Sequence, residues 1–398
     1  MQTTHKRILL VGPVPPELGS YNPGGVARHV WDLAKALHAQ GHKVDILALG
    51  RYFRPTRRVD GIQIHGLDLW LPCYLLGAIV PLYRFILQSD NIWTWRDYLH
   101  FIYSFCRLQT VFDESYDLIH AHGYSQKIPV VCSNLGVKTP VVLTVHSYSA
   151  IQFASTEQQQ KVMQYSLINK GVDALIHVSY ADQKKGQNFG VEWNCIDAVV
   201  HNAVNVEQTK LSGGKREGVC FVGTVSCRKG IEVLTEAWKH CSSIGPLCVV
   251  GDGPELKLVN NLSEQCSYVE TTGYLKREKA LQKMREAQVL VVPSKSESFG
   301  LIYLEALLTG TPVIGYHRTL KEFISVLSPT EEELGYIYPF NASRESARQL
   351  AKVIKQAVEA RKNDADGRIA RSIAKKVRRH FSWDRIVPEL ESIYNQVT

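Results

Sequence analysis

The stretch QVLVVPSKSESFGLIYLEALLTGTPVIGY, residues 288–316, reads as strand, loop, helix and strand in immediate succession. QVLVV (288–292) and PVIGY (312–316) are short apolar runs of the kind that fills a buried parallel sheet. Between them Phe299-Gly300 opens a helix over Leu301–Leu308, and Gly310 then Pro312 stop it. Two acids in this stretch, Glu297 and Glu305, need another explanation. Eight residues apart on one helix they would point about 80° away from each other. Glu297 therefore belongs to the loop before the helix and Glu305 to its second turn, where both can address one ligand lying across the helix N-terminus. Free N–H groups and the positive end of the dipole make such an N-terminus an anion site. The bland alternative is a solvated helix with two surface acids.

The same rhythm extends in both directions. Upstream strands are RILLVG (7–12), KVDILAL (43–49), DLIHA (117–121), VVLTVH (141–146), ALIHVS (174–179) and DAVVH (197–201), with helical stretches such as VARHVWDLAKALHAQG (26–41) between them. The second half repeats it with GVCFVG (218–223), PLCVVG (246–251) and SYVET (267–271) before QVLVV and PVIGY. Strand–helix alternation predicts an α/β protein with parallel sheets covered on both faces. The break falls in VEQTKLSGGKREG (206–218), which is polar, glycine-rich and without apolar periodicity. Two doubly wound domains facing a cleft follow, with ligands expected outside the carboxyl ends of the strands.

A chain of 398 residues is long enough for two cores, and 45% apolar with 21% charged residues is an ordinary globular mixture. The nine cysteines are scattered, odd in number and free of C-x-x-C pairs, which argues for reduced thiols in a cytoplasm and against a disulfide framework or zinc site. MQTTHKRILLVG passes from a polar start into a strand, so no signal peptide is read there. The net charge of +8 favours anionic partners. Nucleic acid is set aside, because no basic stripe or recognition motif is present. LWLPCYLLGAIVPL (69–82) is too short for a membrane span and carries two prolines. It reads first as a buried segment of the first domain. The sharper alternative, with Arg51, Arg54, Arg57 and Arg58 upstream, is a peripheral contact with an anionic membrane at its cytoplasmic face.

Four further constellations follow strands. In YNPGGVARHV (21–30), Gly24 and Gly25 let a backbone approach a ligand closely, although an ordinary turn reads the same and this is no G-x-G-x-x-G. VLTVHS places His146 at a carboxyl strand end; HAH (120–122) sets two imidazoles on one strand face and, with no carboxylate or third histidine nearby in sequence, reads as structural rather than metal-binding. FVGTVSCRKGIEVL (221–234) sets Arg228 and Lys229 beside a helix N-terminus near Gly230, which suits a diphosphate as well as it suits solvated cations. VVGDGPELK is a strand, a tight turn and a helix with Pro254 in its first turn, and is read as structural.

With these motifs in order, the chain resembles the retaining glycosyltransferases of family 4, which have the GT-B fold. The resemblance runs from GGVARHV to FSWDRIVPELESIY, and its most specific part is ESFGLIYLE followed by AL-x-x-G-T-P-V-I. GTVSCRKG and GDGP come next; the glycine pair and TVH support them. It implies two Rossmann-like domains, an acceptor-side one over 1–204 and a sugar-nucleotide-binding one over 205–381, with a final helix, 382–398, crossing back to the first. It also implies that Glu305 accepts from the ribose hydroxyls and that Glu297 meets the transferred sugar. Phe299, Gly300 and Leu301 would lie against sugar and phosphate through their backbone. Lys229 would neutralise the diphosphate, and Gly273, Tyr274 and Leu275 would hold the base. Gly25, with Gly24, would approach the phosphate and His146 the sugar. The family usually has glycine at Ser298 and Gly-Arg at Gly223-Thr224, so Arg228 is the candidate substitute for the missing arginine; the hinge reads Asn202-Ala203-Val204-Asn205 in place of N-G-V-D.

The expected chemistry is transfer from a nucleotide-diphosphate sugar to a glycan, lipid-linked or small-molecule acceptor with an α-linkage. Retaining glycosidases use two carboxylates about 5 Å apart, one as nucleophile; the resemblance instead gives Glu297 and Glu305 a grip on the donor. No cofactor or metal is expected, since no D-x-D motif is placed to hold one. An epimerase or phosphorylase of the same fold, or a non-catalytic sugar-nucleotide-binding subunit, are the alternatives; products formed with and without acceptor separate them.

Overall fold

The computed structural model describes residues 5–20, 24–49, 54–66, 95–111, 115–123, 127–147, 168–188, 193–206, 216–241, 243–343 and 345–398, with Ile79, Tyr83 and Ile86 besides. The chain forms two compact units. Residues 1–202 and Ile386–Thr398 make the first, and Ala203–Arg385 make the second.

In the first unit eight strands form one sheet: β1 (Arg7–Gly12), β2 (Lys43–Ala48), β3 (Arg57–Val59), β4 (Ile62–His65), β5 (Leu118–His122), β6 (Val141–Val145), β7 (Ala174–His177) and β8 (Ile196–Val199). Their order is β3-β4-β2-β1-β5-β6-β7-β8, and only β3 runs antiparallel to its neighbour. The central strands β1, β5 and β6 are buried almost throughout, as continuous apolar runs in a two-sided sheet require. Helices α1 (Gly25–Ala39), α2 (Trp95–Gln109), α3 (Ile128–Leu135) and α4 (Tyr180–Gln187) belong to this unit. On α1 the buried Val30, Leu33, Ala34 and Leu37 recur at three and four, which fixes one face against the sheet. From α2, Phe101 and Phe105 stack at 6.2 Å and join Leu9, Val11, Ile119 and Leu143 in the core. Arg107 of the same helix is buried and donates to the carbonyls of His65, at 2.9 Å, and Gly66.

The second unit has six parallel strands: β9 (Val219–Val222), β10 (Leu247–Val250), β11 (Val269–Gly273), β12 (Val289–Val292), β13 (Val313–Tyr316) and β14 (Ile337–Phe340). Their order is β11-β10-β9-β12-β13-β14. The chain moves outward from β9 through β10 to β11, then returns to the other side of β9 with β12. The crevice at such a reversal, beyond the carboxyl ends of the strands, is where doubly wound sheets bind ligands. The helices are α5 (Ile231–Trp238), α6 (Leu256–Gln265), α7 (Arg277–Glu286), α8 (Leu301–Leu308), α9 (His317–Leu327), α10 (Glu331–Leu334), α11 (Ala347–Asn363) and α12 (Arg368–Phe381). A buried guanidinium, Arg216, donates to the carbonyl of Ala287 at 3.2 Å and to Thr311 Oγ1 at 2.6 Å, which pins the turn after α8 to the start of the unit. Burial pushes that guanidinium down to about 10.

Helix α13 (Trp383–Val397) begins in the second unit and ends in the first. There Glu391 meets His42 Nε2 at 2.8 Å, Tyr394 meets His120 Nδ1 at 2.7 Å, and Thr398 accepts from Lys6 at 2.6 Å. Strands β3, β4 and β14 escaped the sequence reading, and Pro254 lies in the turn before α6 rather than inside its first turn. The apolar run 69–82 lies outside the described residues except for the exposed Ile79. Arg51 lies outside them too, while Arg57 donates to the carbonyl of Leu18 and Arg58 to Gln63. Among the described residues no helix is long and apolar enough to cross a membrane.

Candidate active site

Strands β9 and β12 flank the reversal of the second sheet, and both carry their functional residues just past their carboxyl ends. After β9 the chain makes a 3₁₀ turn, Cys227–Lys229, closed by Gly230 at φ 73°. A Cβ on Gly230 would sit 2.0 Å from the carbonyl oxygen of Pro293, so glycine is required for the two loops to touch. They are also stitched by hydrogen bonds: Lys295 N–H donates to the carbonyl of Arg228 at 2.9 Å, and the Arg228 guanidinium donates to that of Ser296 at 3.3 Å. This brings Lys229 Nζ onto Glu297 Oε1, which also accepts from Ser294 Oγ at 2.9 Å. Glu297 is 8% exposed and Ser294 is fully buried. A carboxylate this far from water is stable as an anion only because a cation and a hydroxyl share its charge.

Gly300 then caps α8 at φ 77°, where a Cβ would lie 2.6 Å from the ring of Tyr303. Tyr303 is a wedge between strands. Its hydroxyl donates to the carbonyl of Val292 at 2.9 Å and accepts from Tyr316 N–H at 3.1 Å. Burial, and then the charge of Glu297, push its phenol far above the ordinary range. Phe299 turns its ring inward onto Phe323 and Phe381, with centroids 5.2 and 5.9 Å away, so only its backbone remains to meet a ligand, as does that of Gly300 and Leu301 at the helix start. On the second turn of α8, Glu305 accepts from Arg277 Nε at 3.0 Å and from a second nitrogen of the same guanidinium. Arg277 opens α7, one residue after the loop of Gly273, Tyr274 and Leu275, so this ion pair, two nitrogens on one carboxylate oxygen, ties that loop to α8. Gly273 is left-handed at φ 66° and Tyr274 is exposed. The ends of β9 and β10 touch through glycine, since a Cβ on Gly251 would lie 1.9 Å from the carbonyl oxygen of Gly223.

In the first unit Gly24 and Gly25 stand at the start of α1, and a Cβ on either would meet nothing within 4 Å among the described residues. Neither has a positive φ, so neither turn geometry nor packing demands glycine there. His146, just past β6, contacts His122 at the end of β5, with 3.2 Å between Nε2 and Nδ1. His29 of α1 lies against both rings at 4.8 and 5.5 Å between centroids. His120 sits behind, bonded to Thr144 Oγ1 and the Tyr394 hydroxyl, each at 2.7 Å. Burial holds all four imidazoles down: His29 to about 4 against the opposing charge of Asp32, His120 to about 3, and His122 and His146 well below the usual value, with neighbouring histidines adding to the effect. They are neutral at pH 7.

The site residues thus fall into a Lys229–Glu297 group with Arg228, a Glu305 group joined to the Gly273–Leu275 loop, and a histidine group in the first unit. Sequence reasoning missed Ser294, Tyr303, Arg277 and His29, and it read His122 of the HAH pair as structural. Arg277 had a signal in LKRE, but nothing marked which of its charges reaches α8.

Two family models match the chain in succession: Glycosyltransferase Family 4 over residues 23–208 and Glycosyl transferases group 1 over residues 205–368. A phosphatidyl-myo-inositol mannosyltransferase of Propionibacterium freudenreichii subsp. shermanii is 25% identical over 391 residues, covering 94% of this chain and 91% of that protein. Sucrose-phosphate synthase from Thermosynechococcus elongatus superposes with a TM-score of 0.72 at 20% identity, over 98% of this chain and 99% of that one. Anabaena HepE in complex with UDP-glucose gives 0.69 at 18% identity, over 98% and 100%. The architecture shared with these structures is the GT-B fold. With family matches running from residue 23 to residue 368, the chain is a glycosyltransferase of family 4, group 1.

Proposed function

We propose that this protein is a retaining glycosyltransferase that moves a sugar from a nucleotide-diphosphate sugar to a glycan, small-molecule or lipid-linked acceptor with an α-linkage. The observation that carries this reading is the ion pair of half-buried Lys229 with buried Glu297 at the reversal of the second sheet, beside the N-terminus of α8. Departure of the leaving group from the anomeric carbon builds positive charge on the ring and negative charge on the diphosphate. Lys229, assisted by Arg228 and the end of α8, meets the latter. Glu297 grips hydroxyls of the transferred sugar and sets the position of the lysine. Glu305 accepts from the ribose, and Gly273–Leu275 hold the base. Gly24 and Gly25 approach the phosphate, and His146 offers a neutral imidazole to the sugar. The acceptor enters on the face that the leaving group vacates, and a phosphate oxygen takes its proton.

The relatives support a sugar-nucleotide donor: one similar structure holds UDP-glucose, and one similar protein is named for mannosyl transfer to phosphatidyl-myo-inositol. With a lipid-linked acceptor the reaction would take place at the cytoplasmic face of a membrane. No metal takes part, because Lys229, Arg228 and helix N-termini meet the phosphate charge. Incubation with a panel of nucleotide sugars, with and without lipid and glycan acceptors, tests the reading. The expected product has an α-configured new bond by NMR, requires acceptor, and forms undiminished in chelator. A β-linked product, conversion of donor without acceptor, or activity lost in chelator and restored by magnesium or manganese would each count against it.

A further inference from the structure

The histidine group of the first unit has a composition that sugar transfer does not require. Proposed transfer uses His146 alone, yet the rings of His29 and His122 lie against it. One nitrogen from each of the three lies within 4.8 Å of the others, and all three side chains are buried. The residues come from three elements that the fold fixes: His29 from α1, His122 from the end of β5 and His146 from the end of β6. His122 Nδ1 and His146 Nε2 already face each other at 3.2 Å, a pairing that an ion would replace, and among the described residues His122 Nε2 is a buried ring nitrogen with no hydrogen-bond partner. Such a group is costly in a folded interior unless something binds it. His120 does not share this condition, since both its nitrogens are engaged by Thr144 and Tyr394, and it serves as a wall.

From this geometry we infer that His29, His122 and His146 form a binding site for a transition-metal ion of the zinc class, with three imidazole ligands and an open fourth position. Zinc takes nitrogen at about 2.0–2.1 Å, so tetrahedral ligand nitrogens stand roughly 3.3 Å apart. Small ring rotations that draw the widest pair inward by about 1.5 Å are enough to reach that spacing. The donor set is all nitrogen and uncharged. It suits zinc, cobalt, nickel or copper and offers nothing to magnesium or calcium, which need oxygen. Asp32, the carboxylate on the same helix as His29, is occupied by Arg28 at 3.1 Å and Lys35 at 3.3 Å. The ion is no participant in transfer. It captures His146, so its functional consequence is inhibition; that consequence rests on the proposed role of His146, whereas binding does not.

The test uses the full chain. Titration with Zn²⁺ by calorimetry should show one equivalent bound at micromolar concentration or below, and Co²⁺ should give the visible bands of a four-coordinate ion. His29→Ala and His122→Asn should each weaken that equivalent by at least roughly tenfold, the order expected when one ligand or its orientation is lost. X-ray absorption of the zinc-loaded wild-type protein needs no variant, so it decides the matter even if a substitution unfolds the unit. Nitrogen scatterers at about 2.0 Å with imidazole multiple scattering support the site, while sulfur at about 2.3 Å moves the ion to cysteine and overturns it. Absence of binding, or binding indifferent to both substitutions, overturns it as well. Stoichiometric Zn²⁺ should slow sugar transfer and magnesium should not. If zinc binds the histidines and transfer continues unchanged, the metal site stands and the role given to His146 falls.

Discussion

Lys229 and Glu297 make each other necessary, and that changes what a substitution at either reports. Removing Lys229 strands a buried carboxylate, which typically costs about 3–5 kcal/mol of stability. Lys229→Ala is therefore expected to lower turnover by about 10²–10³ and also to unfold at lower urea. Adding Glu297→Gln removes the stranded charge, so the double variant should regain most of the stability and none of the turnover. Urea melts and initial rates on the three proteins check this; a double variant with restored turnover would reduce the pair to a structural one. For Glu305 the partner is Arg277, and Glu305→Ala should cut donor affinity by roughly one to two decades, the worth of a hydrogen bond to a charged group. Calorimetry with the donor giving an unchanged constant would remove Glu305 from the site. The acids and Lys229 were legible because their spacing from strands and glycines is local. Arg277, Ser294 and the gathering of His29 and His122 around His146 were not, since what makes them matter is who they touch across the fold.

At the level of elements, α12 depends on a carboxylate that precedes it. Asp364 accepts from the Tyr336 hydroxyl at 2.6 Å and from the N–H groups of Ile369 and Ala370 at 3.0 and 2.9 Å. Burial pushes its carboxyl up, but these hydrogen bonds outweigh it and hold the group below the usual range. A folded-state value below the unfolded one means that the contribution is complete above the unfolded pKa of about 3.9 and is lost as pH falls through the folded value. Asp364→Ala should cost about 2–3 kcal/mol at pH 7, through a lost cap and a stranded phenol. Its deficit relative to wild type should shrink below about pH 4. Guanidinium unfolding at both pH values measures this, and a deficit independent of pH would assign the effect to packing. The long helices and the central strands were readable from periodicity and apolar runs. The strands that escaped are β3 and β14 at sheet edges and the four-residue β4 beside β3, where short segments with arginine or Pro339 look like loop until a neighbour's hydrogen bonds claim them.

For the whole molecule the decisive feature is α13, which from Ile386 onward belongs to the unit at the other end of the chain. Ile386, Val387, Leu390, Ile393 and Tyr394 are buried there. At about 1.5–3 kcal/mol for each buried apolar side chain, their sum is on the scale of a domain's entire stability. A chain ending at residue 385 should therefore lose hydrogen-exchange protection throughout the first unit and keep it in the second. Equal protection in both units would show that α13 is only an accessory. The milder Tyr394→Phe leaves His120 Nδ1 without its partner and should cost about 1–2 kcal/mol, read as a lower melting temperature. Two alternating α/β halves were plain in the residue pattern. The return of the last helix was not, and only the family resemblance suggested it, because an amphipathic stretch does not state which sheet its face will cover.

That return also sets an order of manufacture. The nascent chain leaves the first unit after Asn202 and does not come back to it until Ile386. At about 5–20 residues per second, the ribosome needs roughly 9–37 s to travel from Asn202 to Ile386. Throughout that interval His42 and His120 await their partners on a helix not yet made. The half that emerges first thus stays unfinished until its last helix is made, and it is one that a holding chaperone would find open on the ribosome.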